Sequence, residues 1–587
     1  MRATARLDPA PRAAEERPGR HTKGWLAAIA GFSVIPRIVV GLYDPISYDG
    51  YWHVFIARNL PREFRSLAHP PLFPLLLRAL DALSHSRLSY EGVSMVSGAG
   101  AVFLFGLILQ KLRTAPPIPI IGGLAFALAP SAIRMSTVVE SYMLCVFFIL
   151  VASLAYLDLL RPDPASVPRA SRVVFGVSLS LALLSHYVAG LFFLACLACP
   201  FVVALVWPGY RRDLSRAWKD RLPADIATVL LPAAVGTLLL HYLARPWLHA
   251  LNHLPAFYFQ RGIESSGAFL ARNLANTFNL FSPVRVAAEP VAVTLLCLFT
   301  LAVFGALATG AERHREARMA LATIYVVLLL IGMVTGLRGW YPFGGAMRHQ
   351  LLLFVFGLLA LLLAFDRVLS RCSPRRRCLF VAFVVVGFIA NTFGNRGEWW
   401  EPGPDLFAGE VERFRSDFAC AGAVHVDQYN LIGFFAQYSD WDWRFLGNAI
   451  GNAQVQLYGV SRGGRALTVL AHRDIWNMNF ARPELYKALA ESWRSDASAS
   501  FTVFCVHQTL PGEPSRDPET LRREIPELAA AAALGVDRLV VNGPNVYAGF
   551  GRSSVLADPP PVATALVPAS AKARTGMQEL FFCRLRR

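Results

Sequence analysis

Residues 44–74 carry a dense set of groups able to do chemistry: Asp44-Pro-Ile-Ser-Tyr-Asp49-Gly-Tyr-Trp-His53, then Arg58 and Asn59, then His69-Pro-Pro-Leu-Phe-Pro74. Asp49 lies a few residues beyond a long apolar stretch, so a rigid anchor would hold it with one side to water and one to protein. Tyr51 and Trp52 beside it suit stacking on a sugar, whose C–H groups are apolar and meet electron-rich ring faces. The same rings could equally be interfacial belt aromatics, and Asp49 a capping residue in a turn. Glu140 borders another apolar stretch, where an acidic group is costly unless paired or functional. It could coordinate a divalent metal with Asp49, orient a sugar, or pair with Arg134. His53 and His69 could add imidazole ligands to such a metal, although His69-Pro70-Pro71 is equally a rigid turn whose ring only hydrogen-bonds backbone. His241, His249 and His253 have no zinc-motif spacing, and Cys196 and Cys199 sit in an apolar run where core packing is the better reading.

The elements that must position these groups are membrane helices. The chain carries a net charge of +17, yet it is 55% hydrophobic and only 17% charged. That excludes a disordered polycation and a small disulfide scaffold, and it makes a record of membrane topology a better explanation of the charge than nucleic acid. A bilayer core needs roughly 20 apolar residues per helix. Such stretches fall at 25–43, 92–110, 118–133, 141–160, 173–188, 190–207, 226–243, 289–309, 319–337, 349–365 and 378–393. The third is short enough to be a re-entrant or broken pair. With the N-terminus inside, the cytoplasmic segments hold 24 Lys and Arg and the outer loops hold 12, although the outer loops are longer. This predicts an inner-membrane, multi-pass protein with a cytoplasmic tail over 1–24, an uncleaved first anchor and an outer C-terminus. The loop 244–288 is amphipathic and is expected to lie along the interface. From residue 395 short β-rich runs at 423–427, 466–472, 501–507 and 538–541 alternate with helical patterns near 430–438, 482–493 and 518–534, which predicts a soluble extracytoplasmic α/β domain over 395–587. Its Cys420, Cys505 and Cys583 allow at most one disulfide among them.

An acidic residue followed by aromatics after the first span, then His69-Pro-Pro-Leu, resembles the GT-C polytopic glycosyltransferases, a bacterial family-39-like set. The nearest groups are the protein O-mannosyltransferases and the aminoarabinose-to-lipid A transferases. Further matching residues are Arg134-Met-Ser-Thr-Val-Val-Glu140-Ser-Tyr142, Ser185-His186-Tyr187 and Tyr341-Pro-Phe-Gly-Gly-Ala-Met-Arg348-His349. The chain departs from the pattern at Asp49-Gly50, where many members have Asp-Glu. The resemblance implies a mainly α membrane protein, a GT-C-like bundle of about eleven transmembrane helices over 25–394, followed by the small α/β domain. It implies transfer of a hexosyl or pentosyl group from a polyprenyl-phosphate carrier to an acceptor hydroxyl on a protein, lipid or polysaccharide, at the extracytoplasmic face and with inversion.

A phosphate leaving group needs no protein acid, so one carboxylate base suffices. Asp49 would take the acceptor proton, with Glu140 the second catalytic candidate. Arg134, Arg348 and Arg58 would hold the leaving phosphate. Tyr51, Trp52, His53, His69, His186, Tyr187, Tyr341 and His349 would line the substrate site. A divalent metal on Asp49, Glu140 and His69 is an optional cofactor, and no other is expected. The expected partners are membrane lipid, the lipid-linked sugar and the acceptor, with no nucleic acid.

The rival from another class is a transporter or flippase of a lipid-linked sugar, which would place paired repeats and ionisable residues near the bilayer midplane. Here the spans are nearly free of Asp, Glu and Lys, and the candidate groups gather at outer helix ends. A polysaccharide polymerase or ligase is a third possibility, disfavoured by Asp49 and the His69-Pro-Pro set.

Overall fold

The computed structural model describes residues 20–43, 46–60, 69–160, 167–206, 226, 228–244, 259, 262, 264–282, 285–308, 315–343, 347–394, 423–428, 430–449, 452–472, 483, 486–487, 501–506, 517–542, 545–552, 572–573 and 580–581. The first half is helical: α1 (Arg20–Tyr43), α2 (Tyr48–Asn59), α3 (Leu72–Asp81), α4 (Arg87–Lys111), α5 (Pro117–Leu128), α6 (Pro130–Thr137), α7 (Tyr142–Leu159), α8 (Arg169–Ser185) and α9 (Ala189–Val206). Apolar helices follow at Thr228–Tyr242, Glu289–Ala308, Arg315–Leu337, Leu351–Ser370 and Pro374–Gly394. Every apolar stretch marked out in the sequence falls on a helix or a broken pair of helices. By length and hydropathy five of the described helices can cross a bilayer, or six with the bent pair, and four more are apolar but shorter. The chain is a multi-pass membrane protein.

The third stretch is the broken pair. Ala129 is extended, as a residue before proline prefers to be, and α5 and α6 meet there at a bend of 56°. The break strips carbonyls at the end of α5 of their helical donors. Thr392 Oγ1 donates to Leu128 O at 2.6 Å, and the buried Arg37 Nη1 of α1 reaches Ala127 O at 3.4 Å. A cation at a helix C-terminus also meets the negative end of the helix dipole. Gly98 lets α4 approach this joint, since a Cβ there would lie 2.2 Å from Ser136 Oγ.

The stretch 44–91 is not a plain loop. Ser47 caps α2 by accepting from Gly50 N at 3.1 Å, and the helix stops before Pro61. The His69-Pro70-Pro71 turn leads into α3, and Ser86 caps α4. Of the amphipathic loop 244–288, Ser266–Phe281 is a helix; Arg272 pairs with Glu264 at 2.8 Å. His249 and His253 lie outside the described residues.

Beyond residue 422 the described chain forms a seven-stranded sheet, ordered β2-β3-β4-β1-β5-β7-β6. The strands are β1 (Ala423–Asp427), β2 (Asp442–Ala449), β3 (Asn452–Arg462), β4 (Arg465–His472), β5 (Phe501–Val506), β6 (Leu534–Asn542) and β7 (Asn545–Arg552). β1 pairs parallel with β4 and β5, and the other pairings are antiparallel. The sequence pattern marked β1, β4, β5 and part of β6 and missed β2, β3 and β7. The sheet and the helix Asn430–Gln437 pack against α2: Phe55 meets Phe435 of that helix, Trp443 of β2 and Tyr458 of β3 edge-on, with ring centroids 5.2, 6.1 and 5.6 Å apart. Cys420 and Cys583 and the Cys505 side chain lie outside the described residues, and with them any disulfide.

Candidate active site

Asp49 sits in the first turn of α2, where the helix dipole favours a carboxylate. Glu140 sits in the turn between α6 and α7, and Ser94 of α4 holds that turn by donating to Glu140 O at 3.1 Å. Arg348 stands in a short 3-10 turn, Met347–Gln350, that feeds the buried helix Leu351–Ser370. One guanidinium nitrogen joins the three. Arg348 Nη1 donates to Asp49 Oδ2 at 2.6 Å and to Glu140 Oε1 and Oε2 at 3.2 and 3.3 Å. The two carboxylates differ in their exposure: the side chain of Asp49 is 49% exposed and that of Glu140 7%.

Gly50 permits this closeness. A Cβ there would lie 2.8 Å from Ile46 Cγ2, 3.2 Å from Val139 Cβ and 3.3 Å from Ser47 Oγ. The space a side chain at position 50 would need is thus filled by the approach of the segment bearing Glu140. Burial pushes the Glu140 carboxyl up to about 7; Arg348 opposes that rise, Asp49 adds to it, and Arg134 also favours the ionised form. The sequence left Glu140 to a metal, a sugar or Arg134; its hydrogen bond comes from Arg348.

Arg348 keeps donors in reserve. Its Nε is buried without a partner, and among the described residues only its Nη1 makes hydrogen bonds. The Nε/Nη2 edge of a guanidinium is the fork that meets two oxygens of a phosphate or carboxylate.

Beside the carboxylates runs a row of imidazoles. The rings of His53 and His69 lie 5.2 Å apart, those of His69 and His186 5.1 Å, and Tyr142 closes the row 4.2 Å from His186. Burial drives His53 well below its ordinary range. Burial also drives His69 to about 4, Arg348 adding to the fall and Asp49 opposing it. Both rings are neutral at neutral pH. Tyr341 donates to His349 O at 3.0 Å, and their rings are 6.2 Å apart.

Three expected residues are placed otherwise. Arg58 is committed to α3, α4 and the helix Asn430–Gln437 with the turn that follows it. It meets Asp81 through Nε and Nη2 at 3.0–3.1 Å and Tyr90 Oη at 2.6 Å, donates to Ser439 O, and lies over the Phe435 ring at 5.4 Å. A guanidinium held this way ties the helix Asn430–Gln437 and its following turn to α2 and does not reach for a phosphate. Burial would raise Asp81, but hydrogen bonds from Arg58, Tyr90 and His85 hold it below its ordinary range. Tyr51 is buried in the apolar cluster beneath the sheet, and Trp52 is packed against apolar core on both sides.

Among the described residues no group of three or more His, Cys, Asp or Glu is placed to hold a metal ion, and Arg348 Nη1 lies between the two carboxylates that would have to share one. As placed, the described residues do not fit a metal.

No family model and no curated protein matches the chain. Solved structures similar to it include ArnT from Cupriavidus metallidurans bound to undecaprenyl phosphate, at 12% identity over 90% of this chain and 98% of that one, with a TM-score of 0.41. The same protein in its apo state gives 13% identity over 92% and 100%, at 0.43. The arabinofuranosyltransferase AftD from Mycobacteria gives 15% identity over 90% of this chain and 41% of that one, at 0.46. ArnT is an aminoarabinose transferase, one of the groups whose motifs the sequence resembles.

Proposed function

We propose that this chain is an integral membrane glycosyltransferase that moves a sugar from a polyprenyl-phosphate donor to an acceptor hydroxyl on the extracytoplasmic face, with inversion. The observation that carries this reading is Arg348, held by Asp49 and Glu140 through one nitrogen and with its phosphate-matching edge unspent. Asp49 takes the proton of the acceptor hydroxyl as its oxygen bonds to the anomeric carbon. The bond from that carbon to the phosphate oxygen breaks, its electron pair stays on the phosphate, and Arg348 meets the charge that develops there. Glu140 holds Arg348 from the buried side. Arg134, near Glu140, adds positive potential. The bent α5–α6 joint is a feature transporters also use, but Asp49, Glu140 and Arg348 lie in first turns and connecting turns, which suits surface chemistry rather than passage.

The test supplies membranes containing the full chain with a radiolabelled polyprenyl-phosphate hexose or pentose and an envelope extract as acceptor. Label moving to an acceptor with stoichiometric release of polyprenyl phosphate supports the reading. Label crossing the membrane still attached to its lipid would support a flippase instead.

A further inference from the structure

Three imidazoles stand in one row, His53 and His186 buried and His69 partly so, and each leaves a buried ring nitrogen without a partner among the described residues: Nδ1 of His53, Nδ1 of His69 and Nε2 of His186. The side chains are 3% and 5% exposed for His53 and His186. The tautomer of His186 is fixed, because Val188 N donates to its Nδ1 at 3.0 Å. Its proton therefore sits on Nε2, a buried N–H with nothing to donate to. Tyr187 next to it carries a buried hydroxyl that is likewise unpartnered. Buried polar groups are rarely left unmade, because each forfeits its hydration without return. The three rings meet through their faces and share no hydrogen bond, so they do not form a proton wire.

We infer that the His53–His69–His186 row, with Tyr187, is the subsite for the hydroxyls of the donor's sugar ring, and that it selects an uncharged sugar. This rests on the glycosyl-transfer reading. A neutral imidazole offers one donor and one acceptor, which is also what a hydroxyl offers, so a row of them matches a polyol. It matches neither a cation nor an anion. An ammonium group would need a carboxylate, and both nearby carboxylates are already held by Arg348. A carboxylate on the sugar would need a cation; the row is neutral, and the free edge of Arg348 is taken by the donor's phosphate. Depth assigns the row to the donor: the acceptor can reach the exposed carboxylate of Asp49 from outside, whereas a row this buried suits the ring carried in on the lipid.

The experiment measures binding to the purified full-length protein in lipid nanodiscs of four ligands: polyprenyl phosphate alone, and the same carrier bearing a neutral hexose, an amino sugar or a uronic acid. His186→Asn keeps an acceptor for Val188 N and removes the Nε2 donor; Tyr187→Phe removes only a hydroxyl. The inference expects the hexose donor to bind at least tenfold tighter than the amino-sugar and uronate donors. Each variant should weaken the hexose donor about five- to tenfold and leave the bare carrier unchanged, a difference a merely structural role would not produce. Equal or tighter binding of the amino-sugar donor, or equal loss for the bare carrier, overturns the subsite and leaves glycosyl transfer standing. If neither the bare carrier nor any donor binds, the transfer reading falls and the subsite with it.

Discussion

Glu140→Gln separates the electrostatic account of the site from a purely steric one, because the two carry different pH dependences. The Glu140 carboxyl titrates near 7 in the folded chain against an ordinary value of 4.5. Its pKa is raised, so the folded protein holds the proton more tightly than the unfolded chain. Below 4.5 both states are protonated and the group contributes nothing. Between 4.5 and 7 the unfolded chain ionises first, and stability falls as pH rises; above 7 the loss is constant. A rise of this size corresponds to about 3 kcal/mol. Glutamine does not titrate and still offers Arg348 an amide oxygen. The variant should therefore gain on the wild type by about 3 kcal/mol between pH 4.5 and pH 8. With an unfolding entropy of about 2.1 cal/mol/K per residue, that is roughly 2 to 3 °C for a cooperative transition of the whole chain. Thermal unfolding in detergent at both pH values reads it directly. Activity should move the other way, since Arg348 loses the charge that holds it from the buried side. An offset between variant and wild type that is the same at both pH values would refute the burial-driven rise of the Glu140 carboxyl.

Gly50→Ala should lower kcat by about ten- to a hundredfold with little change in expression, because the added methyl meets Ile46 and Val139 and pushes Asp49 away from Glu140; steady-state kinetics check it. Arg58→Met should cost about 2 kcal/mol by taking the guanidinium from the buried Asp81 and leaving it only Tyr90 and His85, and proteolysis should then release the C-terminal segment more readily while the donor KM stays unchanged, the opposite of what loss of a phosphate ligand would give. Asp81 is held below its ordinary pKa, so the stability it contributes is present above about 3.8 and is lost as pH falls below that value; the margin of wild type over Asp81→Asn should shrink in that range when followed by thermal unfolding.

Helix positions were legible because hydropathy over long apolar runs is the strongest local signal a membrane chain carries. The chemistry of Asp49, Glu140 and Arg348 was legible one residue at a time, as ionisable groups at the ends of such runs. Their pairing was not, because Asp49 and Arg348 lie 299 residues apart and Glu140 and Arg348 lie 208 apart. A local reading joined Glu140 to Arg134, its neighbour in sequence. Arg58 shows the same limit: its sequence neighbourhood suited a phosphate ligand, while its partners Asp81, Tyr90 and Ser439 are set by tertiary contacts. α2 and α3 went unseen as helices because they are only 12 and 10 residues long and are bounded by prolines. β2 and β3 were missed because Asp442–Arg462 mixes glycines and polar residues that weaken a strand pattern, and its register is pinned by pairing with β4. The glycine at position 50 could be seen as a departure from a motif, but only its contact with Val139 explains it.

The central claim is that Asp49 takes the acceptor proton while Arg348 receives the phosphate. The most direct measurement is single-turnover sugar transfer by Asp49→Asn with a saturating polyprenyl-phosphate sugar, alongside its binding of that donor. Asparagine keeps the shape and can still accept from Arg348, but it cannot take a proton. The account predicts loss of transfer by at least a thousandfold with donor affinity within about threefold of wild type. Transfer retained at a tenth of the wild-type rate or more would remove Asp49 as the base and contradict the mechanism.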